Sequence, residues 1–455
     1  MRRTLLKCGW LVTMDETLGD LADAELLIVG DRIAAIGRRL SADHDEEIDA
    51  HEMIVAPGLV NAHIHVWQGA LRAIGSEWVG EDYFRIVPPR IAPHYGPEDN
   101  YLANLLGALA QIDGGVTTMG DYCHNLNSTE QAERSIDALE ESGARAVFYY
   151  GGGRGPAPMG EAARDATRDA VRAVRLGRLA DDDARVTLGL AMPGPEYVDW
   201  RTTLADFRFA RELAIVSSTH SSRPRAEQTT PDGYLRLAAE GLIGADHNVV
   251  HGNFLSDREL AALVDAGVAF TATVMVEYRG RMSDPIVNRV RALGAQPALG
   301  TDNEMIASGC LLREMQSALL TARNAAHRAN AARGAPPLRT IPVPSREALA
   351  WATIGGAKAL GLDKVTGSLT PGKKADLILL RANDANLFPL RDPIFGIVEQ
   401  AHAGNVDSVM IDGVWRKRDG RALFPPATLA AKRAQLREAG ARLLHEAGYP
   451  APRAA

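Results

Sequence analysis

His63 and His65 stand one residue apart at the end of an apolar run that follows Pro57 and Gly58. If this run is a strand, the two imidazoles point to the same face, because side chains alternate along a strand. Two neutral imidazoles held side by side can supply two of the ligands of a transition-metal site. The same short motif is at least as often a pair of histidines on a solvated strand. Other residues therefore have to decide between the two interpretations.

Three more polar residues follow apolar runs in the same way, namely His220, His251 and Asp302. Taken alone, each is more often a hydrogen-bonded core residue than a ligand. Burying several imidazoles and a carboxylate together is costly unless something pairs with them, and a divalent cation does so. The set of five residues therefore favours a metal site.

Apolar strand-like runs alternate with amphipathic helix-like runs between residues 58 and 365. The predicted strands are residues 59–65, 116–121, 145–150, 186–192, 215–220, 248–252, 268–274 and 297–302. The predicted helices are residues 98–112, 130–142, 162–179, 257–266 and 311–331. This alternation predicts an α/β fold with a parallel sheet, and eight units fit a (β/α)8 TIM barrel. The five polar residues then lie at the C-terminal ends of strands, where such barrels gather their reacting groups.

Two β-rich flanks enclose the predicted barrel of residues 58–365. Residues 1–57 contain a hairpin signal around Gly30-Asp31, and residues 366–424 contain another around Asp412-Gly413. We predict that the two flanks pair into one small composite β-sandwich. Residues 425–455 are predicted to form a C-terminal helix, over 427–447, and a tail.

Composition argues against several classes of partner. The 455-residue chain has a formal net charge of -7 and no basic tract, so nucleic acid is not expected. No apolar run reaches the ~18 residues that span a bilayer, so no membrane partner is expected. The three cysteines (Cys8, Cys123 and Cys310) suit neither a disulfide framework nor a metal site, which favours the cytoplasm. Lysine is absent between Lys7 and Lys358.

Ordered motifs along nearly the whole chain resemble the amidohydrolase superfamily, in its branch of triazine hydrolases, S-adenosylhomocysteine deaminase, and cytosine and guanine deaminases. The matching segments are 57–65 (PGLVNAHIH), Gln68, Leu71-Arg72, 114–118 (GGVTT), His220, His251-Gly252, 299–302 (LGTD) and 367–376 (GSLTPGKKAD). The resemblance implies a metal-dependent hydrolase with a barrel and a composite β-sandwich. It also implies a homodimer or a larger homo-oligomer.

By resemblance, His63, His65, His220 and Asp302 bind one metal ion, and His251 lies just outside it. This ligand set suits Zn²⁺ first and Fe²⁺ second, with an open position for a water whose pKa the metal lowers. Asp302 would act as general base, and His251 would polarise the bond under attack or stabilise the oxyanion. Superfamily members with two metals commonly bridge them with a carboxylated lysine on a barrel strand. No predicted strand contains lysine, so a single ion is expected.

The chain departs from the family three residues after His220. The deaminase-type branch usually has a proton-shuttling glutamate there, and this chain has Arg223. Arginine does not exchange a proton near neutral pH, but it binds a carboxylate or another anion bidentately. The alternative is that Arg223 points outward into a salt bridge. A substrate with an anionic or strongly electron-rich group is therefore expected. Glu227, Glu277 and Glu304 are candidates to replace the missing acid, and the sequence selects none of them.

Substrate contacts are expected from Arg223, His251, Trp67, Gln68 and Glu277. Weaker candidates follow the first two strands, namely Trp78, Tyr83, Phe84, His124 and Asn125, and the aromatic ones among them are also ordinary core residues. The glycine-rich run 151–155 lacks the Lys-Ser/Thr of a P-loop and is interpreted as a flexible loop. The loop 275–281 differs from the family's usual Pro-x-Ser-Asn run, so substrate recognition is expected to be rebuilt there.

Together these features predict a mononuclear metal-dependent hydrolase that acts on a C–N or C–halide centre of a small heterocyclic or amide-like substrate. A metal-dependent lyase, decarboxylase or isomerase on the same scaffold is the alternative, which the missing glutamate favours. A non-catalytic binding protein ranks last because all four expected ligands are present.

Overall fold

In the computed structural model, which describes residues 1–152, 160–280 and 284–449, sixteen strands form two sheets of eight. Four strands come first: β1 (Arg3–Leu11), β2 (Leu21–Val29), β3 (Arg32–Gly37) and β4 (Glu46–Pro57). The next eight are β5 (Leu59–Ile64), β6 (Val116–Leu126), β7 (Arg145–Gly152), β8 (Val186–Met192), β9 (Val216–Ser221), β10 (His247–His251), β11 (Ala269–Ala272) and β12 (Ala298–Leu299). The last four are β13 (Leu377–Arg381), β14 (Val406–Ile411), β15 (Val414–Arg418) and β16 (Arg421–Ala422).

Helices lie between and after these strands. The first seven are α1 (Gly80–Ile86), α2 (Pro97–Asp113), α3 (Thr129–Ser142), α4 (Glu161–Leu176), α5 (Trp200–Glu212), α6 (Gly233–Ala239) and α7 (Asp257–Asp265). The others are α8 (Val274–Glu277), α9 (Ile286–Ala292), α10 (Leu311–Ala332), α11 (Ser345–Ala350), α12 (Gly356–Ala359), α13 (Pro393–Phe395) and α14 (Pro426–Glu446). Shorter helical turns are Val66–Leu71, Val87–Ile91, Ala92–His94, Arg225–Glu227, Trp351–Gly355, Gly396–Gln400 and Ala403–Asn405. Within the described ranges, none of the helices has the length and apolar character that a bilayer crossing requires.

The sheet from β5 to β12 is a parallel barrel in which each strand pairs with the next one in the chain. β6 is buried along its whole length, and β10 likewise. Such continuous burial is typical of a parallel sheet with helices on one face and a filled interior on the other. The predicted TIM barrel is confirmed, and every predicted strand overlaps an observed one. The helices α5 and α6 were not predicted.

The barrel closes between its first and last strands. β12 is only two residues long, and a parallel bridge between Ile64 and Asp302 joins the two ends of the sheet. In this bridge the amide of His65 donates to the carbonyl of Asp302 at 2.7 Å, and the amide of Asp302 donates to the carbonyl of His63 at 3.0 Å. His63, His65 and Asp302 therefore take part in barrel closure through their backbone.

The remaining eight strands form one mixed sheet, in the order β16-β15-β14-β13-β4-β1-β2-β3. β4 pairs with β1 in parallel and with β13 antiparallel, so the two flanks of the chain meet at this strand. Leu6 and Leu26 from the first flank share one buried cluster with Leu377 and Met410 from the second. This composite β-rich unit agrees with the prediction that the flanks pair.

A buried ion pair connects this unit to the barrel. Arg145 on β7 donates from Nε to Asp376 Oδ2 at 2.7 Å and also contacts Asp412. The side chains of Arg145 and Asp376 are 2% and 0% exposed. Because a buried charge is costly without its partner, this pair fixes the flanking sheet to the barrel.

Candidate metal centre

Four side chains converge at the C-terminal end of the barrel. His63 lies on β5 and His65 directly after it, His220 lies on β9, and Asp302 follows β12. One possible ligand atom from each lies within 4.8 Å of all the others. His65 Nε2 is 3.2 Å from Asp302 Oδ1, and His63 Nε2 is 3.2 Å from His220 Nε2. Alternation along β5 thus does bring the first two imidazoles together, as the sequence indicated.

The protonation of these groups suits a cation. Burial lowers the pKa of His63 to about 4, so its ring is neutral at pH 7 and has a lone pair to offer. His65 Nδ1 donates to the carbonyl of Tyr122 at 2.8 Å, which leaves the Nε2 lone pair of His65 directed at the other ligands. Burial opposes ionisation of Asp302, but its contacts with the imidazoles of His63 and His65 hold its pKa well below the ordinary value. Neutral imidazoles and an ionised carboxylate are the forms that bind divalent metals.

His251 ends β10 beside this group, with its ring centroid 5.6 Å from that of His220. Its Nδ1 is hydrogen-bonded with Thr273 Oγ1 at 3.1 Å and lies 3.7 Å from Glu277 Oε1. Burial lowers the pKa of His251, but Glu277 and Asp302 outweigh it, so the pKa is raised above its ordinary value. The ring is therefore oriented from behind by Nδ1 and presents its other edge to the cavity.

His251 and Asp302 have an unusual backbone. Their φ angles are +69° and +58°, in the left-handed region that side chains other than glycine rarely adopt. Such conformations persist where surrounding structure enforces them, and they cluster at functional sites. Here they turn both side chains from the ends of β10 and β12 toward the same point.

A cavity of about 540 Å³ opens over these residues. Its floor contains His65, His220, His251 and Asp302. Its walls are formed in part by aromatic and charged side chains, which include Tyr83, Phe84, His124, Tyr197, Arg223, Glu227 and Phe254. The dimensions and the mixed lining suit a small organic molecule.

The structure places Trp67, Gln68 and Glu277 behind the cavity wall, which differs from the direct substrate contact predicted for them. Trp67 is 1% exposed and Gln68 is fully buried. Trp67 Nε1 donates to His124 Nδ1 at 3.3 Å, and Gln68 Nε2 donates to the hydroxyl of Tyr83 at 3.1 Å. Glu277 accepts the amide of Thr273 at 2.9 Å. The polar atoms of all three therefore contact protein groups that line or support the wall.

The other acid candidates have different surroundings. Glu227 is exposed at the cavity wall, whereas Glu304 forms an ion pair with Arg72. Trp78 packs against Tyr449, and Asn125 is hydrogen-bonded within the core. Residues 153–155 of the glycine-rich run and residue 281 of the loop 275–281 lie outside the described residues.

Arg223 lines the cavity, and its guanidinium carbon lies 4.1 Å from the ring centroid of Tyr197. Its backbone amide donates to Glu196 Oε2 at 2.9 Å. Glu196 is 1% exposed, and burial raises its pKa to about 7. Glu196 and Tyr197 were not predicted as site residues. They could have been found from their position just after β8. Because β8 pairs with β9, the loops that follow these two strands are neighbours.

The family model of the amidohydrolase family matches residues 54–416. A 5-methylthioadenosine/S-adenosylhomocysteine deaminase of Pelotomaculum thermopropionicum is 32% identical over 440 residues, which cover 91% of this chain and 93% of that protein. A 5'-deoxyadenosine deaminase of Methanothermobacter thermautotrophicus is 28% identical over 428 residues, covering 90% and 93% of the two chains.

Solved structures support the same fold. A mutant atrazine chlorohydrolase from Arthrobacter aurescens, complexed with zinc and atraton, superposes with a TM-score of 0.82 at 22% identity, covering 95% of this chain and all of that one. An adenosine deaminase from Xanthomonas campestris with bound zinc gives a TM-score of 0.81 at 20% identity, covering 96% and 98%. The match of the family model and the similarity of the Pelotomaculum enzyme extend over most of the chain, and this chain belongs to the amidohydrolase family.

Proposed function

We propose that the chain is a mononuclear metal-dependent hydrolase that acts on a C–N or C–halide centre of a small heterocyclic or amide-like substrate. The observation that carries this proposal is the convergence of three imidazoles and one carboxylate below a cavity. Deaminases among the relatives and a chlorohydrolase among the similar structures support this choice of bond. The lyase, decarboxylase or isomerase alternative has no such support.

His63, His65, His220 and Asp302 would hold the ion, and Zn²⁺ is the proposed metal. The donor set fits, because nitrogen and oxygen ligands in a buried four-residue group are typical of zinc. When bound, the ion supplies Lewis-acid activation of a water molecule. The barrel strands contain no lysine that would bridge a second ion, which supports a single metal per chain.

Two residues of this chain would assist the attack. The carboxylate of Asp302 would accept a proton from the attacking water at the oxygen that does not face His65. His251 would donate a hydrogen bond from Nε2 to the substrate atom that gains negative charge. Glu277 and Thr273 hold the opposite edge of this ring, so they would position it and not touch the substrate.

Tyr83 is our candidate for the proton that an amine leaving group needs. Trp67 Nε1 donates to His124 Nδ1, and we assign the His124 proton to Nε2, which lies 3.1 Å from the hydroxyl of Tyr83 and would donate to it. Gln68 donates to the same oxygen at 3.1 Å. Two N–H donors stabilise the phenolate that remains after the proton moves to the leaving nitrogen. The proton taken up by Asp302 restores the phenol through solvent, so the net reaction adds one water.

The metal assignment is tested without knowing the substrate. His63→Ala should lower the zinc content of the purified protein from one equivalent to near zero. The control His51→Ala should leave it at one, because the exposed ring of His51 lies on β4 in the flanking sheet and pairs with Asp49. Zinc retained by His63→Ala would contradict the assigned site. Two equivalents in the unmodified protein would contradict a single metal.

The reaction class is tested with a panel taken from the relatives: methylthioadenosine, S-adenosylhomocysteine, 5'-deoxyadenosine and atrazine. Hydrolysis in ¹⁸O-labelled water should place label at the carbon that loses nitrogen or chloride. Product without label would favour the lyase or isomerase alternative. Tyr83→Phe should slow loss of an amine and leave loss of chloride nearly unchanged, since chloride needs no proton; equal slowing would assign Tyr83 to binding.

Location and assembly belong to the same proposal. We infer that the enzyme acts in the cytoplasm, which three cysteines without disulfides support, and that it forms a homodimer or a larger homo-oligomer. Sedimentation equilibrium of the zinc-loaded protein measures the assembly, and a monomer would contradict it.

A further inference from the structure

We infer that Arg223, stacked on Tyr197, is a carboxylate-binding subsite in the cavity wall and that it selects anionic substrates. The conversion of such a substrate rests on the proposed function, whereas the binding of a carboxylate at Arg223 does not. The residue stands three positions after His220, so the loop that holds it begins at the metal centre. Arg223 and His220 line the same cavity, so one small molecule bound there can contact both.

An aromatic ring lies against the guanidinium of Arg223. Its carbon lies 4.1 Å from the centroid of the Tyr197 ring, which is the geometry of a cation–π stack. Stacking fixes the plane of the group and leaves its N–H donors in that plane, where they match the two oxygens of a carboxylate. A guanidinium held against a ring in this way is a preorganised anion receptor, because little side-chain freedom is lost on binding.

Within the described part of the chain, no carboxylate pairs with this guanidinium. The hydrogen bond given for its side chain is a long one of 3.5 Å from Nη1 to the carbonyl of Glu196. Arg85, which also lines the cavity, pairs with Asp82 at 2.6 Å, and the neighbouring Arg225 pairs with Asp232. A half-buried cation without a counter-ion is costly, and an anionic ligand removes that cost.

Glu196 holds the arginine in place from behind. Its carboxylate accepts the amides of Ser222 and Arg223, both at 2.9 Å, and the hydroxyl of Ser221 at 2.5 Å. Next to it, the hydroxyl of Tyr197 lies 2.8 Å from Ser222 Oγ. The two consecutive residues Glu196 and Tyr197 therefore fix the backbone and the stacking surface of the same loop. Glu196 is a positioning residue, since it is buried and does not line the cavity.

The test uses matched pairs of an acid and its neutral amide: nicotinate with nicotinamide, and benzoate with benzamide. Affinities are measured by calorimetry on metal-free and on zinc-loaded protein. The acid should bind about tenfold more tightly or better than its amide, as expected for charge-assisted hydrogen bonds. Arg223→Met should remove this preference, and Arg223→Lys should keep only part of it, because ammonium lacks the planar fork. Arg225→Met is the matched control and should keep the full preference.

The metal-free arm separates this inference from the proposed function. A preference for the acids without metal reports on Arg223, whereas zinc content reports on the metal site. Glu196→Gln should reduce the ratio of acid to amide affinity and leave amide affinity unchanged, which a general loss of structure would not do. Equal affinities for acids and amides in the metal-free protein, no measurable binding of nicotinate, or an unchanged preference in Arg223→Met would each overturn the inference.

Discussion

Asp376→Asn should destabilise the protein strongly although it changes only a few atoms. Arg145 on β7 is 2% exposed, and Asp376 is its fully buried partner at 2.7 Å. Removing one partner of a buried ion pair costs about 3–5 kcal/mol, because the other charge stays buried without compensation. Asp412 remains beside Arg145, and Asn keeps an oxygen to accept the amide of Asp412, so we expect the lower end, about 3 kcal/mol.

Guanidinium chloride unfolding, followed by tryptophan fluorescence on zinc-saturated protein, measures this loss. The matched control is Glu161→Gln, because Glu161 pairs with Arg201 on the surface, where the two side chains are 73% and 85% exposed. An exposed pair contributes little, so the control should unfold with the wild-type midpoint. In an Arg145→Met background, Asp376→Asn should cost much less than it does alone. If Asp376→Asn and the surface control Glu161→Gln had equal effects, the buried pair would not be what fixes the flanking sheet to the barrel.

Two further predictions concern the site. His251→Asn, which suits the left-handed backbone at this position, should keep one zinc per chain and lower kcat about 100-fold, as loss of one oxyanion donor does; unchanged kcat, or lost zinc, would refute the assigned role. Burial raises the pKa of Glu196 from 4.5 to about 7, so the folded protein binds this proton more tightly than the unfolded chain does. The resulting stabilisation is complete below pH 4.5 and is lost as pH rises through 7, a fall of about 3 kcal/mol in unfolding free energy. Glu196→Gln should lack this part of the pH slope, and parallel curves for the two proteins would contradict the buried carboxyl.

The barrel strands were predictable because their apolar runs are continuous and evenly spaced along the chain. At the end of the seventh strand, a tertiary contact overrides the local pattern. The seventh predicted strand extends over residues 268–274, but the observed strand ends at Ala272. Glu314, forty positions further on, accepts the amides of Val274 and Met275, and this contact starts a helix where the sequence indicates more strand. The sequence around residues 268–274 gives no information about a contact with a residue so far along the chain.

The helices α5 and α6 were missed for local reasons. In α5 only Thr203, Phe207, Phe209 and Ala210 are buried, so its apolar stripe is narrow, although Asp199 caps its start through the amide of Thr202 at 3.0 Å. α6 has seven residues and begins after Asp232 in a left-handed conformation, which is not a usual start signal. A search for capping residues would have found the first of these helices and not the second.

The candidate metal ligands were predictable because residue type and strand position together decide which side chains meet. The supporting residues were not. Glu196 is seen as part of the site only when β8 and β9 are neighbours, because its partners are amides of the next loop and amides carry no sequence signal. Trp67 and Gln68 were expected to contact the substrate, but both are buried, and they donate hydrogen bonds to His124 and Tyr83, respectively. The sequence thus indicated which residues gather around the cavity, but not which of them line it and which lie behind its wall.

The closure of the barrel gives the candidate metal a mechanical consequence. β12 pairs with β11 through only two residue pairs, and it joins β5 through the backbone of His63, His65 and Asp302. The side chains at this junction, Asn61 and Thr301, are 240 positions apart in the chain and hydrogen-bond at 2.8 Å. A contact between such distant segments is entropically costly to form. An ion held by residues of both segments would stabilise the closure of the barrel between β5 and β12. In the metal-free protein, the amide of His65 should therefore exchange hydrogen for deuterium faster than the amides in the centre of β6.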